Sequence, residues 1–352
     1  IVYSSNILLV RADASGLIGG GHIMRCLALA DAWVKNGGNA TFVSAEISKE
    51  FVELIEKHGH KFEKILAVRG ANNDILLTFS LYKELNAVAV VLDGYCFTSA
   101  YQKTMHNFGL FVIVYDDLGS SEKFFCNILV NQNIHADSIY YNLLVKGATL
   151  LTGSRYASIR DEYLAFRNTS KKYSSVTNVV ISLGLSDTTK IIEDILRCLS
   201  KIEQKLCINI VVGQGNIDSV QRVANSTRHQ ISCSKMTEDF SEVLSKADLA
   251  IISSGGTAHE AASIGVPMIV VCIAKNQQPA YKEFVSREIA LGGGMSDSFD
   301  CSIFFKEVMK AIEYKKVRVQ LGINGMKYVD GKGAERVALQ IMKSAFEFKQ
   351  DN

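Results

Sequence analysis

Short, nearly unbroken runs of Ile, Val and Leu, each bounded by polar turn residues, recur along this chain and leave it few folds to choose from. In the first half they are ILLVRAD (7–13), ATFVSA (40–45), AVVLDG (89–94), LFVIVYDD (110–117) and ILVNQN (128–133). Continuous rather than alternating apolarity is what strands covered on both faces require. Helical patterns lie between the runs: Ile23, Leu27, Ala30 and Val34 share one helical face, as do Phe51, Leu54 and Ile55 further on. Strand alternating with helix predicts a parallel α/β sheet.

The polar stretch FRNTSKKYSSVTN (166–178) interrupts the rhythm, which restarts with NVVISLG (178–184), INIVVG (208–213), LAIISSG (249–255) and MIVVCI (268–273). Two Rossmann-like α/β domains are therefore expected, residues 1–165 and 176–334, followed by a helix in 335–352 able to cross back to the first domain. The length agrees, at roughly 100–200 residues per domain. Two parallel sheets so joined are expected to face a central cleft with their carboxyl ends, where open α/β sheets bind ligands. Gly292 to Gly294 reads as a loop.

A formal net charge of only +2 argues against a nucleic-acid binder. The eight cysteines are scattered with no CxxC pair, which predicts reduced, buried thiols in a cytoplasmic protein rather than a disulfide framework or a zinc site. No apolar run approaches the ~20 residues of a membrane span, and Ile1 to Val10 has neither a basic leader nor a small-residue cleavage site. No stable membrane association is expected, and a monomer is favoured.

Two glycine-rich turns carry the chemistry. In RADASGLIGGGHIMRC (11–26) a strand ends at Asp13, glycines follow, and a helix begins near His22. Free backbone N–H groups and the helix dipole favour an anion there, and they disfavour an imidazolium, so His22 suits a general base. The bland alternative is a tight turn with a solvated histidine; Asp13, Arg11 and Arg25 in the same βα unit weigh against it. The second turn, ISSGGTAHEAASIGVP (252–267), offers Ser254, Gly255, Gly256 and Thr257 as donors to a diphosphate. Glu260, one helical turn in, suits a ribose diol, or it merely stabilises a helix start. HEAAS is not the zinc motif HExxH, because Ser263 stands at the second ligand position. Asp93 and Tyr95 end one strand and read equally well as turn residues or substrate contacts. The paired carboxylates of YDDL read as turn formers. Amides in LVNQN and AKNQ, and the loop of ISLGLSD, are further candidates for sugar or phosphate contact.

RADAS, IGGGHIMRCLALA, VLDGY, YDDL, LVNQN, ISLGLSD and SSGGTAHEAASIGVP with AKNQ occur in that order over about four fifths of the chain. In this the sequence resembles the hydrolases of pseudaminic acid biosynthesis that cleave UDP-2,4-diacetamido-2,4,6-trideoxy-β-L-altropyranose, relatives of the MurG-type glycosyltransferases with a GT-B fold. The resemblance implies that His22 is the catalytic base, with Asp13 and Tyr95 beside it. It places Arg11, Gly20, Gly21, Arg25 and Asp93 among the substrate contacts, with Asn276 and Gln277 near the sugar and Gly184, Ser254, Gly255, Gly256, Thr257 and Glu260 about the nucleotide. The chain departs from the family pattern at Leu185, where a second glycine is common, and at Thr188, where proline is frequent. Leu185 does not readily take the positive φ open to glycine.

The reaction implied is metal- and cofactor-independent hydrolysis of a UDP-sugar, with inverting attack of water at the anomeric carbon. The alternatives are an inverting GT-B glycosyltransferase using the same base and a noncatalytic nucleotide-sugar binding protein.

Overall fold

The computed structural model describes residues 6–15, 18–119, 123–167, 175–184, 186–235 and 240–351. Residues 1–158 and 331–352 form one compact unit, and residues 159–330 form another.

The first unit is built on a parallel sheet of seven strands: β1 (Ile7–Ala12), β2 (Asn39–Ser44), β3 (Lys61–Lys64), β4 (Ala89–Asp93), β5 (Val112–Tyr115), β6 (Ile128–Asn131) and β7 (Thr149–Thr152). Its helices are α1 (Gly21–Lys35), α2 (Lys49–Lys57), α3 (Asn72–Glu84), α4 (Ser99–Asn107) and α5 (Tyr141–Leu144). The strand order is β3-β2-β1-β4-β5-β6-β7, so the winding reverses between β1 and β4. Register pairs Leu8 with Ala89 and Ala12 with Asp93, which sets the end of β4 beside the loop leaving β1. Strands β1 and β4 are buried almost throughout, as their unbroken apolar runs demand.

Helix α1 is apolar over most of its circumference: Ile23, Leu27 and Ala30 join the core as expected, and so do Ala28, Leu29 and Trp33. Val34 instead faces outward, 44% exposed. The wide buried arc arises because α1 is covered on a second side by the last helix of the chain.

The second unit repeats the plan with six parallel strands: β8 (Asn178–Ser182), β9 (Cys207–Val212), β10 (Gln230–Lys235), β11 (Leu249–Ser253), β12 (Met268–Cys272) and β13 (Leu291–Met295). Its helices are α6 (Asp161–Arg167), α7 (Thr189–Leu199), α8 (Ile217–Ala224), α9 (Phe240–Ser245), α10 (Gly256–Ser263), α11 (Gln278–Ser286), α12 (Cys301–Glu313) and α13 (Lys315–Tyr328). The order β10-β9-β8-β11-β12-β13 reverses between β8 and β11. Helix α6 overlaps the start of the polar stretch 166–178 and falls within the expected first domain up to residue 165, yet it belongs to this unit. Tyr163 is fully buried, and Arg167 donates to the carbonyls of Ser263 and Met326. Residues 168–174 of that stretch, like Gly16, Leu17 and Leu185, lie outside the described residues.

Helix α14 (Gly333–Asp351) packs on the first unit, where Val337, Ala338 and Ile341 join the core against α1 and Phe348 meets Phe111 edge-on at 5.4 Å.

Two expectations are corrected. Gly292 to Gly294 is not a loop but part of β13. A side chain at Gly292 would come within 2.6 Å of the Tyr281 hydroxyl, and one at Gly293 within 2.9 Å of Val271, so the glycines let α11 and β12 close on the strand. The cysteines are not all thiols: Cys198 of α7 and Cys301 of α12 are joined as a disulfide, because these neighbouring helices bring their Cα atoms to 5.7 Å.

Candidate active site

In an open α/β sheet the crevice at the reversal of strand order, beyond the carboxyl ends, is where ligands bind. His22 stands at that point in the first unit. Gly19 takes a left-handed φ of +81°, Gly20 caps the helix, and α1 starts at Gly21, which puts His22 in the first turn of α1 and Arg25 one turn further on the same face.

Both side chains converge on Asp93. His22 Nδ1 lies 2.6 Å from Asp93 Oδ1; Arg25 donates from Nη2 to the same oxygen at 2.6 Å and from Nε to Oδ2 at 2.6 Å. The Cys26 thiol adds a contact to Oδ2 at 3.4 Å. Asp93, read as a turn residue or a substrate contact, is thus wholly enclosed by protein partners, and its place is beneath the imidazole. Arg25 also reaches Asp117 (Nη1 to Oδ1, 2.6 Å) and lies over the Tyr115 ring at 5.0 Å. Tyr95, 58% exposed, donates its hydroxyl to Asp117 Oδ2 at 3.1 Å and meets the His22 ring edge-on at 5.3 Å.

The charges lock one another. Burial alone would raise the Asp93 pKa, but the Arg25 charge and His22 bring it well below the usual carboxylate range. Asp117 is lowered against the same burial, again chiefly by Arg25. Burial works against the Arg25 charge too, and the two carboxylates overcome it. The Cys26 thiol is pushed up by burial and by Asp93, so it is no nucleophile. In the neutral tautomer that donates from Nδ1–H to Asp93 the lone pair lies on Nε2, which has no hydrogen-bond partner among the described residues.

Arg11 and Asp13 are also drawn inward. Arg11 is fully buried, with its guanidinium on both oxygens of Asp74 (2.9 and 2.8 Å), 2.8 Å from Asp13, and over the Phe97 ring. Asp13 accepts from the backbone N–H groups of Ala45 and Glu46 at 2.8 and 2.9 Å, pinning the loop after β2 to the loop after β1. Their polar atoms serve the scaffold behind the turn, whereas the turn itself stays open: a side chain at Gly21 would meet no heavy atom within 4 Å.

Asp117 was missed as a site residue. The pair reading as turn formers divides its labour: Asp116 accepts from Gly119 N at 2.6 Å and closes the turn, while Asp117 faces Arg25 and Asn133, whose Nδ2 donates to it at 2.8 Å. A doubled carboxylate after a strand, one more than a turn needs, was the available signal.

In the second unit the loops after β8, β11 and β12 gather at the corresponding reversal. Gly184, with φ of +95°, brings the loop after β8 to within 3.8 Å of Ser253 Oγ, measured from the position of an added Cβ. Gly255 caps α10, Ser254 donates to Gln277 O at 3.4 Å, and Gly256 is exposed. Asn276 is exposed, and Gln277 is half-buried beside Gly255. Thr257 is half-buried in the first turn of α10. Glu260 Oε1 accepts from Arg160 Nη2 at 3.0 Å and Nε at 3.3 Å, and Arg160 lies on the Tyr163 ring. Arg160 gave no sequence signal, since it sits 100 residues from its partner. A cavity of about 220 Å³ opens beside the Gly184 loop, lined by Asp187, Thr188, Lys190, Ile191, Ile273 and Ser296. The buried Thr188 hydroxyl has no partner among the described residues.

Comparison with known proteins follows the same division. Residues 163–291 match the glycosyltransferase family 28 C-terminal domain. The chain is 24% identical over 277 residues to the UDP-2,4-diacetamido-2,4,6-trideoxy-β-L-altropyranose hydrolase of Campylobacter jejuni, covering 77% of this chain and 93% of that protein. It is 22% identical over 342 residues to the spore coat polysaccharide biosynthesis protein SpsG of Bacillus subtilis, covering 96% and 98%. An uncharacterized protein of Methanocaldococcus jannaschii is 23% identical over 292 residues, 80% of this chain; the chain spans only 58% of that relative's length. Among solved structures, MurG of Acinetobacter baumannii superposes with a TM-score of 0.68 at 16% identity, covering 96% of this chain and 99% of that one. The fold is GT-B-like, with two parallel-sheet α/β domains.

Proposed function

We propose that this chain hydrolyses a UDP-linked 2,4-diacetamido-2,4,6-trideoxy hexose, with water attacking the anomeric carbon opposite the diphosphate. The observation that carries this reading is the 2.6 Å contact between His22 Nδ1 and Asp93 at the strand-order reversal of the first sheet. A carboxylate on Nδ1 selects the tautomer whose Nε2 can take a proton. The attacking water gives its proton to Nε2 as its oxygen bonds to carbon. The anomeric carbon–oxygen bond breaks, and its electron pair leaves with UDP. The imidazolium formed is stabilised by Asp93, a positioning residue.

Ser254, Gly255, Gly256 and Thr257 hold the diphosphate at the start of α10, where helix dipole and N–H groups meet its charge. Glu260, oriented by Arg160, takes the ribose. UDP leaves readily, so the reading invokes neither a general acid nor a metal or organic cofactor. Likeness to the Campylobacter hydrolase over most of both chains supports the reaction, and the relation to SpsG supports glycan biosynthesis more broadly; on this reading the free sugar is bound for nonulosonic (pseudaminic) acid.

An inverting glycosyltransferase would use the same base on a sugar hydroxyl. The family 28 match favours it, but that match covers 163–291 and bears on the nucleotide side alone. Incubation of the UDP-sugar in oxygen-18 water without an acceptor separates the two. Label in the sugar is expected; label in UDP, or no turnover, overturns hydrolysis at carbon. His22→Ala is expected to lower kcat about 10²–10⁴-fold.

A further inference from the structure

A second cluster of ligating side chains lies at the other end of α1. Asp31 on α1 faces His58, which caps the end of α2, and His60, which leads into β3. Asp31 Oδ2 is 2.9 Å from His58 Nδ1, and Oδ1 is 2.8 Å from His60 Nε2. The three ligand atoms lie within 4.8 Å of one another. Gly59, with φ of +80°, turns the chain so that both rings reach one carboxylate, nearly parallel with centroids 6.3 Å apart. His60 is buried and packs on Phe42 at 5.7 Å, while the Asp31 and His58 side chains remain 16% and 22% exposed.

We propose that Asp31, His58 and His60 bind a divalent transition-metal ion of the zinc type, with water as the fourth ligand. Two imidazole nitrogens and one carboxylate oxygen form a zinc donor set, and a fourth position left to solvent matches the partial exposure. Binding requires each imidazole to give up the N–H directed at Asp31, either as a proton lost to solvent from an imidazolium or by tautomerisation that moves it to the other ring nitrogen.

The three ligands come from separate elements, so the ion would clamp α1 and the end of α2 to β3. That strand is short and lies at the sheet edge, pairing among the described residues only with β2. The role is structural, because Asp31 follows His22 by nine residues, about 13.5 Å along the helix at ~1.5 Å per residue. His60 Nδ1 is buried with no partner among the described residues. His60 thus lacks, among the described residues, the outer hydrogen bond that usually fixes a ligating tautomer, so affinity is expected about 10–100-fold below that of a fully buttressed site.

Cobalt(II) titrated into the chelator-treated full chain tests this. One equivalent is expected to give the visible ligand-field bands of a four-coordinate site, to be displaced by zinc, and to raise Tm. Asp31→Asn and His58→Ala, both at partly open positions, are expected to abolish the bands, whereas His22→Ala keeps them. Absence of bands in the unmodified protein, or bands that survive in both variants, overturns the proposal and leaves a histidine–aspartate hydrogen-bond cluster only. If a variant does not fold, imidazole nitrogen NMR of the unmodified protein decides: zinc must shift His58 and His60 selectively, and uniform or absent shifts overturn it.

Discussion

Asp93 Oδ1 is shared by two donors of one helix, His22 Nδ1 and Arg25 Nη2, each at 2.6 Å. Orientation of the His22 imidazole and compensation of a buried charge are therefore one interaction, and substitutions at this carboxylate act on both. Asp93→Asn is expected to lower kcat about 10²–10⁴-fold with little change in KM, because an amide can present its N–H and stabilise the wrong tautomer. Steady-state kinetics beside a thermal melt separates this from loss of fold; unchanged kcat in a folded variant rejects the positioning role.

Arg25 stands between Asp93 and Asp117, and removing it leaves a buried and a half-buried carboxylate without their shared cation. Arg25→Ala is expected to destabilise the protein by about 3–5 kcal/mol. Arg25→Lys should recover only part, since an ammonium cannot make the forked contacts. Urea denaturation followed by circular dichroism measures both.

Acid should unfold this protein through its paired carboxylates. Asp31 is brought down to about 2, and Asp93 and Asp117 are also lowered, in each case against the opposing effect of burial. A carboxylate whose folded pKa lies below its unfolded value of ~3.9 contributes stability above that value and loses it as pH falls through the folded one. Stability is expected to hold from about pH 7 to 5 and then fall steadily toward pH 2. In Asp31→Asn the fall across that window should be shallower, as read by melts at successive pH values; an unaltered slope contradicts the assignment.

Glu260 is the charge that best tests the proposed nucleotide site. Its carboxylate is oriented by Arg160 at 3.0 Å, and hydrogen bonds to a charged group are worth ~1.5–3 kcal/mol. Glu260→Gln is expected to weaken UDP binding about 10–100-fold by calorimetry. Arg160→Ala should do the same by a smaller factor, through loss of orientation. Equal affinity in all three proteins would remove the ribose reading.

Gly333 begins α14 against residues 156–157, where an added Cβ would fall 2.2 Å from the Ala157 carbonyl oxygen. Gly333→Ala must displace the helix start and is expected to lower stability by about 1–3 kcal/mol. Because α14 covers α1, loosening it should also speed amide exchange near His22. Hydrogen-exchange mass spectrometry checks this.

The alternation of strand and helix, the two glycine turns and the place of His22 at a helix start were legible in the residues. Each rests on a local signal: apolar runs too short for a buried helix, turn residues at their ends, and glycine where the backbone needs it. The triple glycine of β13 misled for the same reason, since locally it signals a turn, while Tyr281 and Val271 make those glycines a strand under close cover. Cys198 and Cys301 read as separate thiols until α7 and α12 were seen side by side.

Local residue order sets the periodic frame and the residue types at its turns. Their partners follow from packing. His22 and Asp93 are 71 positions apart and meet because β1 lies beside β4 in register, Ala12 opposite Asp93. The family resemblance implies a substrate contact for Arg11, yet the pleat turns it into the buried layer where Asp74 accepts both of its donors. Pair energies at such distances depend on which strands neighbour each other. Sheet order is a property of the whole chain's burial, and no window of residues contains it.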